Sequence, residues 1–185
     1  HGFQLWANLP SNQKMTAPRY QDIKSKEIKS LFDDDGTIIK VIAGNYRGYN
    51  GPVDGIAAEP EYLDIYIPPL KFKKFPFDTR RQGFAYIFEG EGNFHNASKP
   101  VGVKVEKEFQ GQEIELRDLS GNRTLVVFDS GDEVAVQAGE NGVRFLLISG
   151  TPIKEPVAWH GPIVMNSQEE LRQAFNELNN GTFIK

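Results

Sequence analysis

The sequence contains no cysteine, only three histidines and only two methionines in 185 residues. Without cysteine, a thiol nucleophile, a CxxC redox pair, a thiolate zinc site and a disulfide framework are all excluded within the chain. No apolar run approaches the ~20 residues that a membrane-spanning helix requires. Positive charge is not in excess either: 21 Lys and Arg against 25 Asp and Glu leave a net charge of −4. That balance argues against an electrostatic grip on nucleic acid, which needs a basic face. Serine-nucleophile signatures of the G-x-S-x-G type are absent, as are Gly-rich phosphate loops.

What the sequence has in quantity is short strand patterns punctuated by its 18 Gly and 11 Pro. Thr37 to Ala43 is rich in β-branched residues and follows Asp33-Asp34-Asp35-Gly36. Tyr62 to Ile67 alternates, with Leu63, Ile65 and Ile67 on one face. Gly83 to Phe88 is an apolar run that Glu89-Gly90-Glu91-Gly92 is expected to stop. Val101 to Val105, Thr124 to Phe128, Glu133 to Gln137 and Val143 to Ser149 continue the series, and Asn141-Gly142 is the preferred pair for a tight hairpin between the last two. The spacing predicts a sandwich or barrel. At the N-terminal end, Phe3, Leu5 and Ala7 alternate with Gln4, Trp6 and Asn8, another strand pattern, and Tyr20 to Ser30 reads as a polar linker. One helix is expected: Ser167 and Glu170 form a capping box, Leu171, Ala174, Phe175 and Leu178 share an apolar face, and Asn180-Gly181 ends it.

Candidate chemistry is sparse. His1, His95 and His160 are far apart, whereas an imidazole metal site needs convergent pairs such as HxH on a strand. His95 is expected in a surface loop, and His160, between Trp159 and Gly161, as a packed residue bonded to a backbone carbonyl. Asp33-Asp34-Asp35-Gly36 invites a calcium reading, but the twelfth position of such a loop would be Gly44 rather than Glu, so a turn is expected. Gly90-Glu91-Gly92 carries carboxylates that would repel phosphate and reads as a strand-end turn. Phe72, Phe75 and Phe77 among Lys71, Lys73 and Lys74 resemble a stacking platform for single-stranded nucleic acid, but Phe84, Tyr86 and Phe88 are explained as core.

The stretches HGFQLWANLP, KMTAPRYQDI, YLDIYI, FAYIFEGEG and EPVAWHGPIVMNSQEELRQAF occur in the order found in pirins, and the last is similar to that family's C-terminal signature. The resemblance covers essentially the whole chain. It implies an all-β fold, the cupin (double-stranded β-helix) barrel of a bicupin with a C-terminal α-helix. The implied domains are 1–30, the last strand of an N-terminal cupin and a linker, with the rest of that cupin lying upstream; 31–150, the C-terminal cupin barrel; and 151–185, an extended segment and helix packing back. The family's metal, iron or another divalent ion, is held in the N-terminal cupin by an H-x-H pair and an H-x-E pair. Both pairs fall before His1, so no catalytic, cofactor-binding or metal residue is assigned in this chain. In the second cupin the corresponding H-x-H falls on Pro76-Phe77-Asp78 and the glutamate position near Gln82.

For the intact protein the resemblance implies a metal-dependent quercetin 2,3-dioxygenase-like oxidoreductase acting on a flavonol-type small molecule, with this chain alone inactive. The alternative is a non-enzymatic, redox-responsive partner of a transcription factor or metabolic enzyme. The expected partners are the chain's own N-terminal cupin and another protein, with no direct nucleic acid and no membrane, and the expected location is cytoplasmic.

Overall fold

The computed structural model describes residues 2–95, 103–104 and 120–184. It divides into two compact units. The smaller comprises His1–Asp22, Gly55–Ala58 and Pro152–Lys185; the larger comprises Ile23–Asp54 and Glu59–Thr151.

The larger unit is all-β. β1 (Lys29–Phe32) and β2 (Ile38–Ala43) pair antiparallel across the aspartate-rich turn. There the Gly36 amide donates to the Asp33 carbonyl at 2.9 Å and Gly36 takes φ +85°, a conformation costly for any residue with a Cβ. β2 buries Ile39, Val41 and Ala43 in strict alternation. A small ribbon of β3 (Asn45–Tyr46) and β4 (Tyr49–Asn50) follows. Then come β5 (Glu61–Ile67), β6 (Phe72–Pro76), β7 (Gln82–His95), β8 (Val103–Lys104), β9 (Ser120–Gly121), β10 (Thr124–Val127) and β11 (Glu133–Gly150). Among the described residues nine of these strands share one sheet. Its hydrogen-bonded path runs β1-β2-β5-β11-β7-β10-β8, with β6 joined to β11 and β9 to β7. The path is open, ending at β1 and β8.

Two expectations are corrected here. Glu89-Gly90-Glu91-Gly92 does not end a strand, because β7 runs through it to His95. Asn141-Gly142 does not reverse the chain, because β11 continues from Glu133 to Gly150. The two strands pair antiparallel on both sides of an irregularity: Ala135–Ala138 lie against Gly92–His95, and Val143–Gly150 against Gln82–Gly90. Gly90 and Gly142, at φ +70° and +78°, meet there. A Cβ on Gly90 would collide with the Gly142 carbonyl, so the close approach requires glycine. The positive-φ residues produce a bulge and a bend instead of a turn. The bend lets β11 pair with β6 through Glu133–Gln137 and with β5 through Val143–Ser149.

The two sheet faces carry different clusters. One holds Ile39, Val41, Leu63, Ile65, Ile67, Phe75, Ile87, Val136, Phe145 and Leu147, with Phe145 edge-on to Phe75 and Phe94 at 6.1 and 5.2 Å between ring centres. The other gathers Phe88, Leu146 and Ile148 under Tyr62, Phe84 and Tyr86.

In the smaller unit, β12 (Ala158–His160) and β13 (Ile163–Met165) form a hairpin packed by α1 (Gln168–Asn179). Buried Ala158, Ile163 and Met165 meet buried Leu171 and Ala174. The expected capping box is present: the Glu170 amide donates to the Ser167 hydroxyl at 3.2 Å, and the Glu170 carboxylate accepts from the Ser167 amide at 3.0 Å. The prolines hold residues 151–157 non-helical, and the extended chain that follows folds into the hairpin. No strand among the described residues pairs with Gly2–Leu9. No described helix is long and apolar enough to cross a membrane.

Candidate functional site

The acidic turn is built as an ion-pair cluster. Lys73, projecting from β6, places its Nζ 2.7 Å from Asp33 and 2.8 Å from Asp35. Arg47, in the turn between β3 and β4, donates to Asp33 at 2.8 Å. The hydrogen bond from Lys73 holds Asp35 down to about 2, against partial desolvation. For Asp33, desolvation acts upward but the Lys73 and Arg47 hydrogen bonds outweigh it, so its carboxyl also lies below the ordinary range. Desolvation opposes the charge on Lys73, and the two carboxylates overcome it and hold the ammonium above its usual value. A calcium ion would find these oxygens already neutralised by an ammonium and a guanidinium, so the turn reading stands.

Two of the three lysines of the apparent stacking platform are engaged elsewhere: Lys73 with the aspartates and Lys74 with Glu133 at 2.7 Å. Phe75 lies in the core, Phe77 packs on Phe128 at 6.1 Å, and only Phe72 is largely exposed.

The positions corresponding to a cupin metal site are occupied as follows. Pro76 is the exposed last residue of β6. Asp78 accepts two bonds from the Arg80 guanidinium, at 3.0 and 2.7 Å, and one from the Arg80 amide at 3.0 Å. Those hydrogen bonds push its carboxyl far below the usual range. Gln82 is the exposed first residue of β7. The main core cluster of the sheet is hydrocarbon apart from Tyr46. Among the described residues no group of three His, Asp or Glu converges on one point. This donor set does not fit a transition metal, whose ligands must be several, polar and aimed together.

Of the three histidines, His1 lies outside the described residues. The backbone of His95 ends β7 opposite Ala135, in a strand and not the expected loop. His160 is exposed, its ring edge-on to Phe175 at 5.4 Å between centres. The expected bond to a backbone carbonyl is made there by its neighbour: the Trp159 indole donates to the Gly161 carbonyl at 2.7 Å. Nothing in the order Trp-His-Gly distinguishes which ring bonds the carbonyl.

Two polar constellations were missed by sequence reasoning. Arg144 forms a two-bond pair with Asp64, at 2.8 and 2.6 Å, and lies over Phe88 at 5.0 Å from the ring centre. Alternation along β5 and β11 puts both on one face, but only the register makes them partners. Glu155 accepts from the Ser11 amide at 2.7 Å, the Ser11 hydroxyl at 3.2 Å and the Asn166 amide group at 2.9 Å. The Ser11 amide bond, the first of these, holds the Glu155 carboxyl below its ordinary value. With Lys14 donating to Asn8 and the Leu9 carbonyl, this ties the N-terminal segment to the hairpin. Along that tie runs a groove of about 680 Å3 lined by Leu5, Trp6, Val157, Trp159, Pro162 and Phe183. Its two tryptophans, the only ones in the chain, are 71% and 67% exposed.

Comparison with known proteins agrees with this reading of the fold. The sequence model of the Pirin C-terminal cupin domain matches residues 62–184. The chain is 36% identical to a pirin-like protein of Caulobacter vibrioides, over 98% of this chain and 58% of that protein. It is 34% identical to pirin of Homo sapiens, over 97% of this chain and 56% of that protein. The crystal structure of a quercetin 2,3-dioxygenase from Acinetobacter baumannii superposes with a TM-score of 0.78 at 26% identity, covering 96% of this chain and 55% of that one. The chain thus spans somewhat under three fifths of each of these relatives.

Proposed function

The chain belongs to the pirin family, and from that premise we propose that it acts as the metal-free C-terminal cupin of a quercetin 2,3-dioxygenase-like protein. In this reading it stabilises and orients a metal-bearing N-terminal cupin that carries the flavonol chemistry. The observation that carries the first half is the state of the sheet interior. Ile39, Val41, Leu63, Phe75, Ile87, Val136 and Phe145 fill it, Asp78 is bound to Arg80, and Pro76 offers no ligand. A hydrocarbon core of this kind gives stability and a fixed surface, and it gives a divalent ion nothing to bind. The second half rests on the resemblance to longer relatives and on the groove along Leu5, Trp6 and Val157. Aromatic residues exposed together are the usual centre of a protein interface.

Elemental analysis and oxygen uptake with a flavonol test this together. The chain purified without a His-tag is expected to hold far less than one metal and to consume no oxygen. A longer form carrying both histidine ligand pairs upstream is expected to hold one metal and to consume oxygen in proportion to it. One metal per chain here, bound through these side chains, overturns the first half; a metal-loaded longer form inert toward flavonols overturns the second. In that event the redox-responsive partner reading is left, and a pull-down with metal-loaded and metal-free forms addresses it.

A further inference from the structure

We propose that the cleft between α1 and the β12–β13 hairpin binds a small planar aromatic acid, its ring against Trp159 and Phe175 and its carboxylate on Arg172. The cleft lies wholly within the smaller unit and measures about 430 Å3, which accommodates a one- or two-ring compound. One wall is a stripe of the helix. Gln168, Arg172 and Asn176 stand at successive intervals of four residues and so share a side, with Phe175 beside them. The other wall is the hairpin, presenting Trp159 and His160. The Trp159 N–H is already committed to the Gly161 carbonyl, so the indole offers its ring to a ligand. His160 stands edge-on to Phe175, which extends the aromatic surface.

The charge at this surface has one sign. Arg47, Arg80 and Arg144 each donate to a carboxylate, and Arg81 donates to the Glu59 carbonyl. Arg172 has no such partner among the described residues, and neither do the side-chain amides of Gln168 and Asn176. Glu169, one turn earlier on the helix, does not line the cleft. A free guanidinium beside an aromatic face matches a carboxylate on a flat ring, because the planar fork binds both oxygens while the ring stacks. The two amides supply donors and acceptors for ring hydroxyls. Phosphate would use Arg172 and leave the rings idle, and a neutral aromatic would do the reverse.

The test uses the whole chain with Trp6→Phe, which leaves Trp159 as its single tryptophan, and follows the indole N–H resonance by NMR during titration with 4-hydroxycinnamate. The expected result is a saturable shift with a Kd below about 1 mM. Arg172→Gln, an exposed substitution whose folding the same spectrum verifies, is expected to weaken it about tenfold or more. The uncharged 4-hydroxycinnamyl alcohol is expected to bind as weakly as the acid binds that variant, and inorganic phosphate to leave the resonance in place. Absence of saturation, an Arg172→Gln titration identical to the parent, equal binding of the alcohol, or an equal response to phosphate would each overturn the proposal.

Discussion

Lys73 shows how one side chain fixes the acidic turn. It reaches from β6 to two carboxylates at the β1–β2 turn and so fastens an edge strand to a hairpin. Replacing it with methionine leaves Asp33 and Asp35 facing each other with only Arg47 to offset them. Lys73→Met is expected to cost about 2 kcal/mol at neutral pH, less than for a fully buried pair because water still reaches the site. The pH dependence follows from the direction of the carboxyl shifts. Asp35 lies at about 2 in the folded chain against 3.8 ordinarily, so its contribution is present in full above roughly pH 4. It is lost as the pH falls toward 2, where the folded state too takes up the proton. Urea denaturation between pH 2 and 7 checks this: Lys73→Met and the parent should converge in acid, and Asp35→Asn should flatten the same limb of the profile.

Elements here are set by caps and glycines as much as by strand pattern. The α1 capping box satisfies amides that would otherwise have no partner, so Ser167→Ala is expected to cost about 1 kcal/mol in thermal or urea denaturation. Leu171 is buried against the hairpin while Phe175 is only half-buried. Leu171→Ala is therefore expected to cost about 2–3 kcal/mol and to exceed Phe175→Ala. An equal loss from both would mean that the helix turns its other edge to the hairpin. At the bend of β7 and β11 the backbone sets the limit. Gly90→Ala combines a positive φ with a collision against the Gly142 carbonyl, and about 2 kcal/mol or more should be lost in a thermal melt. Gly121→Ala, where a Cβ meets open space, serves as the control and should change little.

At the scale of the molecule the outstanding feature is apolar surface in the smaller unit. Phe3, Leu5, Trp6, Val157 and Trp159 are all well exposed. Surface of that kind promotes association when its natural cover is absent. Light scattering of the chain by itself at high concentration is expected to report self-association, and Leu5→Ser with Trp6→Ser to restore a monomer. Hydrogen exchange supplies a second readout. The Gly2–Leu9 amides, outside any described sheet, should exchange fast, and far more slowly when an N-terminal cupin is supplied as partner. Slow exchange in the monomer would show that the segment needs no such cover.

What the sequence by itself determined was local. Alternation in Tyr62–Ile67 assigned the buried face of β5, because a strand must send successive side chains to opposite sides, and β-branched content marked Thr37–Ala43 as a strand. Ser167 and Glu170 marked the start of α1 because a helix leaves its first amides unpaired. The EPVAWHGPIVMNSQEE stretch pointed to the pirin family, which the comparison with known proteins bears out. Only the tertiary structure decided the rest. Whether Gly90 and Gly142 reverse the chain or bend it depends on what lies opposite them, and each lies opposite the other strand. That Lys73 is neutralised by the β1–β2 turn about 40 residues earlier, and Lys74 by Glu133, depends on how β6 lies in the sheet. Arg144 meets Asp64 only through the register of β11 on β5. Whether Trp159 or His160 bonds a carbonyl is settled by how the hairpin packs on α1. The first three are contacts between residues distant in the chain, and such contacts leave no periodic trace in the segment that carries them.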